Sequence, residues 1–238
     1  MILSSVGFTH QGTIRKQNQD RVLVVDKILS SEKFAVDFGQ PAHFFVADGV
    51  GGAPAGDFAA NFVLTRLKDY LSPNFYNDRD QINNLLHTIN HELLEFSNSN
   101  ADYEGMATTL AGIVFRNDQY RFISAGDSQV FLFRDAKMNK LTTEPVFGEP
   151  GCNNPITSYF GGSMSSLNLV ISSGLDSILH GDVFFVATDG IFKAVSVGQI
   201  ERILSNSKTL KEKSDFILFK ALQTGSPDNI SCIFIDIN

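Results

Sequence analysis

The sequence predicts an α+β fold, a four-layer α-β-β-α sandwich in which two antiparallel sheets pack together and each is flanked by a helix pair. Short runs of strand length dominate both ends and the middle of the 238-residue chain. Two pairs of segments with helical spacing interrupt them, and the last strand needs neighbours from earlier in the chain. All these apolar faces are buried if each sheet is covered by the other sheet on one side and by helices on the opposite side. No linker or composition break divides the chain, so residues 1–238 are expected to form a single domain.

Taken in order, residues 2–8, 21–25 and 43–47 read as strands, the last a compact apolar run that stops at Asp48-Gly49. Phe58, Phe62, Val63 and Leu67 then fall at helical spacing between residues 56 and 71. Ile82, Leu85, Leu86, Ile89 and Leu93 do the same between 80 and 97, and Ser72-Pro73-Asn74 separates the two helices. Residues 109–115, 119–125 and 129–134 are short runs joined by Asn117-Asp118 and Gly126-Asp127-Ser128, which predicts an antiparallel meander. Residues 143–166, rich in Gly, Pro, Asn and Ser, predict a loop. Strands resume at 167–171 and 183–187. Ser196 with Gln199 and Thr209 with Glu212 have capping-box spacing and start two more helices, before residues 230–237 close the chain as a strand.

Hydrophobic residues make up 43% and charged residues 19%, which fits a packed core and neither disorder nor a coiled coil. A formal net charge of -7 argues against a general nucleic-acid surface. An acidic chain that handles phosphate needs local positive charge, and bound metal is one supplier. Cys232 lies in an apolar alternating run and reads as a core thiol, whereas Cys152 sits in a Gly/Asn/Pro loop. Neither a disulfide framework nor a zinc site is expected. The N-terminus shows no basic segment followed by an apolar stretch, and no apolar run approaches bilayer length. The expectation is a cytoplasmic protein without membrane contact.

Four acidic residues share one setting, a run that stops at Asp, usually beside Gly: Asp48, Asp127, Asp189 and Asp228. Asp20, after Asn18-Gln19, is a fifth candidate. A lone Asp-Gly is ordinarily a hairpin turn. Here Val46-Ala47-Asp48-Gly49 and Val186-Ala187-Thr188-Asp189-Gly190 are near copies, and both are followed by helical patterns rather than return strands. A strand places its last side chain at the rim of a sheet, so several such ends can converge on one cleft. Converging carboxylates need compensation to stay ionised, and an all-oxygen ligand set suits Mg²⁺ or Mn²⁺. A carboxylate between two ions, with Gly49 letting its carbonyl turn inward, permits a two-metal centre. The constellation points to metal, with Asp48, Asp189 and Asp228 as the core of an expected phosphoester hydrolase.

Arg15 opens the segment that leads into Asp20, and a guanidinium there can grip phosphate bidentately. Standing alone it would read as a solvated surface arginine. The run Asp48-Gly49-Val50-Gly51-Gly52 lacks the Gly-Lys-Ser/Thr ending of a phosphate-binding loop and reads as close backbone passage past the metals. His87 and His91, at i, i+4 without the metalloprotease Glu, read as helix surface, while His10 lies near enough to Arg15 in sequence to be weighed as a cleft residue.

Several motifs, taken in order, carry a family resemblance. They are Gly12-Thr13-Ile14-Arg15 through Asn18-Gln19-Asp20, the Asp48–Gly52 run with Gly56 and Ala59-Ala60, and Ala107-Thr108-Thr109-Leu110. Gly126-Asp127-Ser128, Ile156-Thr157 through Gly161, Thr188-Asp189-Gly190 and Gly225-Ser226-Pro227-Asp228-Asn229-Ile230 follow. In this order and spacing the chain resembles the protein phosphatase 2C family, metal-dependent serine/threonine phosphatases, in its compact bacterial form. The resemblance implies a β-sandwich flanked by helix pairs. It also implies that Asp48 bridges two metals, Mn²⁺ or Mg²⁺, with the Gly49 carbonyl on the second. Asp189 and Asp228 would bind the first metal and Asp20 would hold the second through its waters. Asp127 with Asp189 would take a third, weaker ion, and Arg15 would take the phosphate. The implied reaction is hydrolysis of phosphoserine or phosphothreonine on a protein by a metal-activated bridging water, with no phosphoenzyme. The implied setting is a monomer opposing a serine/threonine kinase.

Some positions depart from the family pattern. Val50 stands where some eukaryotic members carry a histidine proposed as general acid, and Ala107 replaces the usual glycine before the paired threonines. Gln129 replaces a common arginine, and Thr143-Glu144-Pro145 stands where an Asp-His pair is frequent; both bear on substrate docking more than on metal binding. A non-catalytic phosphatase-like binding module is the rival reading, and a phosphatase of small phosphoesters is a third. Retention of all five carboxylates favours the enzyme.

Overall fold

The computed structural model describes residues 2–50, 55–71, 78–143, 158–162 and 167–238. Its first strands are β1 (Leu3–His10), β2 (Arg21–Val24), β3 (Lys27–Leu29), β4 (Lys33–Phe38) and β5 (Ala42–Ala47). Helices α1 (Gly56–Tyr70) and α2 (Arg79–Ser99) follow. Strands β6 (Ala107–Thr108), β7 (Leu110–Arg116), β8 (Gln119–Ala125), β9 (Gln129–Arg134) and β10 (Lys137–Lys140) come next. They lead to β11 (Phe160–Gly161), β12 (Val170–Ile171), β13 (Asp176–Ser177) and β14 (Val183–Ala187). Helices α3 (Asp189–Phe192), α4 (Val197–Leu204) and α5 (Leu210–Thr224) precede the closing strand β15 (Ile230–Ile237).

These strands build a six-stranded sheet in the order β10-β9-β14-β15-β1-β4 and a seven-stranded sheet in the order β12-β8-β7-β5-β2-β3, with β13 also on β8. A small β6–β11 pair stands apart. Every pairing among the described strands is antiparallel. The expected four-layer α-β-β-α sandwich is what forms: α1 and α2 cover the seven-stranded sheet, and α4 and α5 cover the six-stranded one.

Paired phenylalanines explain why the central strands read as unbroken apolar runs. Successive strand residues face opposite sides. Phe44 and Val46 of β5 therefore enter the core between the sheets while Phe45 and Ala47 meet α1 and α2. In β14, Phe184 points between the sheets and Phe185 toward the α4–α5 layer. An edge-to-face contact links Phe44 to Phe115 (6.0 Å) within the seven-stranded sheet, and another from Phe115 to Phe184 (5.1 Å) bridges the two sheets. The two expected capping boxes form, at Ser196 with Gln199 and at Thr209 with Glu212. Asp78 caps α2 by accepting from the Asp80 and Gln81 N–H groups.

Two strand expectations need correction. Residues 109–134 are not a single meander: β7 and β8 form a hairpin, but β9 lies in the other sheet, between β10 and β14. Gly126-Asp127-Ser128 is therefore a crossing between sheets, and Gly126, at φ 108°, permits the turn. The strand expected over 167–171 shrinks to Val170–Ile171. The Ser72-Pro73-Asn74 turn, Cys152 and most of the 143–166 loop lie outside the described residues.

His43, buried on β5, gives the fold an acid sensitivity. Burial lowers its pKa from 6.5 to about 4, against weaker upward pulls from a Val25 backbone hydrogen bond and Asp26. The unfolded chain takes up this proton near 6.5 and the fold resists it down to about 4. His43 thus contributes stability that is fully present above pH 6.5 and is lost as pH falls toward about 4. In thermal melts, His43→Phe is expected to flatten the loss of Tm across that window. An unchanged slope would show that the acid sensitivity lies elsewhere.

Candidate metal centre

The site forms at one edge of the sandwich, where chain ends from both sheets meet. Asp48 directly follows β5, and Asp20 directly precedes β2 in the same sheet. Asp189 sits two residues beyond β14, and Asp228 two residues before β15, in the other sheet. Asp127 lies on the crossing between sheets. A cavity of about 190 Å³ is lined by Arg15, Asp48, Val50, Thr109, Asp189, Lys193 and Asp228.

Asp48 is held through its backbone. Its N–H donates to Thr109 Oγ1 (3.2 Å), and its carbonyl accepts from the Thr109 N–H (2.9 Å) and Thr108 Oγ1 (3.0 Å). Gly49 bridges to Thr108, and a side chain at Gly49 would collide with the Gly56 backbone, so only glycine lets α1 start this close. These contacts fix the backbone and leave the Asp48 carboxylate facing the cavity. Burial raises its pKa well above 3.8, and the charges of Asp20, Asp189, Asp228 and Asp127 push it further. Asp48 thus feels the charge of all four other candidate carboxylates.

Asp20 is fully buried. Its Oδ2 accepts from Ser231 Oγ (2.6 Å) and Thr188 Oγ1 (2.9 Å), joining the segment before β2 to β14 and β15. Burial nevertheless lifts its pKa to about 7; the two hydroxyls pull it down, and Asp228 and Asp189 push it up. Asp20 Oδ1 and Asp189 Oδ1 are buried without a hydrogen-bond partner. An unpartnered buried carboxylate oxygen is costly unless a cation answers it.

Two protein cations already answer part of this charge. Arg15 Nη2 donates to Asp228 Oδ2 (3.0 Å), while its Nε lies 2.9 Å from Oδ1 as an ion pair without hydrogen-bond alignment. Lys193 Nζ stands 2.5 Å from Asp189 Oδ2 and 2.8 Å from Asp228 Oδ2. Burial works to raise the pKa of Asp228, but the hydrogen bonds from Lys193 and Arg15 bring it below the ordinary value. Among the described residues, no group of three or more His, Cys, Asp or Glu side chains is closed up as a ready cage for one ion. Asp189 and Asp228 instead stand against Lys193 and Arg15. The donor chemistry still fits a hard divalent ion: every acidic donor is oxygen, and two buried oxygens stand unpaired.

Arg15 therefore reaches the cavity as expected, but its guanidinium is engaged by Asp228. Asn229 positions it. The Asn229 amide donates to the carbonyls of Gln11 (2.8 Å) and Gln17 (2.9 Å), and its Oδ1 accepts from the Gln19 N–H (2.9 Å), so the Arg15 loop is stapled to the Asp228 turn. His10 serves the same loop instead of the chemistry, its Nδ1 accepting from the Gly12 N–H (2.9 Å). His87 and His91 are exposed on α2, as expected, and Cys232 is a buried free thiol. Gly51, Gly52, Ile156 and Thr157 lie outside the described residues.

Sequence reasoning gave no role to Lys193, Thr188, Ser231 or Asn229, although Thr188 and Asn229 stood within its motifs. Lys193 also carried a readable signal, since it stands four residues after Asp189, one helical turn away.

A family model described as Protein phosphatase 2C matches residues 18–224. Serine/threonine phosphatase stp of Listeria innocua serovar 6a is 26% identical over 250 aligned residues, which span 97% of this chain and 94% of its own length. Serine/threonine protein phosphatase PstP of Mycobacterium tuberculosis is 22% identical over 255 aligned residues, spanning 100% of this chain and 45% of its own. Among solved structures, the S. agalactiae serine/threonine phosphatase superposes with a TM-score of 0.80 at 22% identity, covering 99% of this chain and 100% of that one. The Mycobacterium tuberculosis serine/threonine phosphatase PstP/Ppp does so with 0.77 at 22%, covering 100% of both chains. At such identities the structural likeness speaks for the fold.

Proposed function

The chain belongs to the protein phosphatase 2C family, the protein serine/threonine phosphatases, and on that premise we propose that it hydrolyses phosphoserine and phosphothreonine in proteins by a metal-dependent route without a phosphoenzyme. One observation carries the proposal: Asp48, Asp189 and Asp228 line one cavity with Arg15, where burial first, and then the charges of Asp20, Asp189, Asp228 and Asp127, raise the Asp48 pKa. Asp48, the Gly49 carbonyl, Asp189 and Asp228 would hold two Mn²⁺ or Mg²⁺ ions, with Asp20 behind them and Asp127 with Asp189 for a third. When bound, such ions supply positive charge to the phosphoryl oxygens and acidify a water at neutral pH.

The chain's own residues supply the rest. Arg15, at the mouth of the cavity, is placed to exchange its Asp228 partner for a phosphate oxygen, a planar donor fork suited to that anion. Thr109, the hydroxyl lining the cavity, is occupied with the Asp48 N–H and with Ser128 Oγ at 2.9 Å, so it holds the site rather than attacking. Val50 lines the cavity with an apolar surface, so leaving-group protonation would come from water or from another group.

Residues 1–238 would work as one phosphatase domain, a cytoplasmic monomer acting on phosphoproteins made by a serine/threonine kinase. No described helix is long and apolar enough to cross a membrane. Turnover of a phosphothreonine peptide and of p-nitrophenyl phosphate with and without Mn²⁺ tests the reading. The peptide is expected to be cleaved only with metal, and full activity in excess chelator would overturn it.

A further inference from the structure

We propose that Lys193 is a built-in counter-ion that competes with a divalent cation for Asp189 and Asp228, so that metal binding requires its ammonium to leave. The inference rests on the metal-dependent reading above. Helix α3 is a single turn, and it carries Lys193 back over Asp189 at i, i+4. The ammonium lies 2.5 Å from Asp189 Oδ2 and 2.8 Å from Asp228 Oδ2, inside the same cavity as Asp48 and Arg15. It thus occupies the space between the two carboxylates that would share an ion.

An ammonium and a divalent ion cannot both sit against the same carboxylate oxygens, because their charges repel at short range. Asp228 keeps Arg15 when Lys193 departs, whereas Asp189 Oδ1 is buried without a hydrogen-bond partner. Asp189 therefore depends on whichever cation is present. The flexible four-carbon stem of Lys193, 40% exposed, gives the ammonium a way out toward solvent or an incoming phosphate. In the metal-free protein Lys193 offsets the repulsion among five carboxylates; in the loaded protein it is the group displaced.

The test is calorimetric titration of Mn²⁺ into metal-stripped wild type, Lys193→Met and Lys193→Arg, with melting temperatures in chelator beside it. Lys193→Met is expected to bind Mn²⁺ about tenfold tighter or more, since no ammonium then opposes the metal at Asp189, although Arg15 stays on Asp228. Its metal-free Tm should fall, widening the gap between stripped and loaded protein. Lys193→Arg keeps the charge and should stay within about threefold of wild type. Equal or weaker Mn²⁺ binding by Lys193→Met, with wild type binding normally, overturns the competition alone. Absence of Mn²⁺ binding by wild type and Lys193→Met alike removes the metal reading, and this inference with it.

Discussion

Replacing Asp48 with asparagine is expected to cut turnover of a phosphothreonine peptide by about a thousandfold or more, while making the metal-free protein more stable at neutral pH. Catalysis falls because Asp48 is the carboxylate on which the charges of the other four converge. An amide keeps the shape and removes the charge. Stability moves the opposite way for the same reason. The folded-state pKa of Asp48 lies well above 3.8, so the fold favours its neutral form. The stability that goes with that neutral form is fully present below 3.8 and is lost as pH rises through the folded value. Asp48→Asn escapes this loss. In chelator its Tm should match wild type near pH 4 and exceed it at neutral pH. Near-wild-type turnover would remove Asp48 from the centre. A Tm gain independent of pH would assign the effect to packing.

Gly190→Ala should be the most damaging single-methyl change at the site. A Cβ built on Gly190 overlaps the Asn229 carbonyl oxygen and comes within 3.3 Å of the Asp228 Cβ. Neither neighbour can yield easily. Asn229 is stapled to Gln11, Gln17 and Gln19, and the Gly190 carbonyl itself accepts from Ser226 Oγ (2.9 Å). Overpacking against backbone costs about 3 kcal/mol or more, which is a Tm loss of roughly 6–12 °C at this chain length. Because the methyl would wedge between the Asp189 and Asp228 segments, activity should fall further than stability, measured as kcat at a temperature where the variant remains folded. A variant with unchanged Tm would show that this backbone approach is looser than the structure has it.

The carboxylate set was readable because of simple strand geometry. A buried strand that stops at Asp, as at Asp48, or one residue before it, as at Asp189, leaves the carboxylate at the sheet's rim. The two helix pairs and the capping boxes at Ser196 and Thr209 were equally local, since periodicity and a four-residue motif define them. What escaped depends on tertiary placement. Strand β4 is largely exposed at a sheet edge, so its residues show no buried alternation. The turn at Asp127 has hairpin composition, yet β9 finds its partners in β10 and β14. Nothing within residues 126–128 encodes that choice. Lys193 was passed over because only the fold shows that α3 starts at Asp189 itself and so brings Lys193 back onto that carboxylate. Arg15 was identified by its neighbourhood, but its engagement with Asp228, 213 residues away, is set by the fold.

Anomalous diffraction from crystals grown with Mn²⁺ addresses the metal assignment most directly. The expected result is strong Mn²⁺ peaks in the cavity that Asp48, Asp189 and Asp228 line, with Lys193 Nζ moved off both of its carboxylates. Mn²⁺ density absent from the Asp48 cavity, or found only away from these five aspartates, would contradict it.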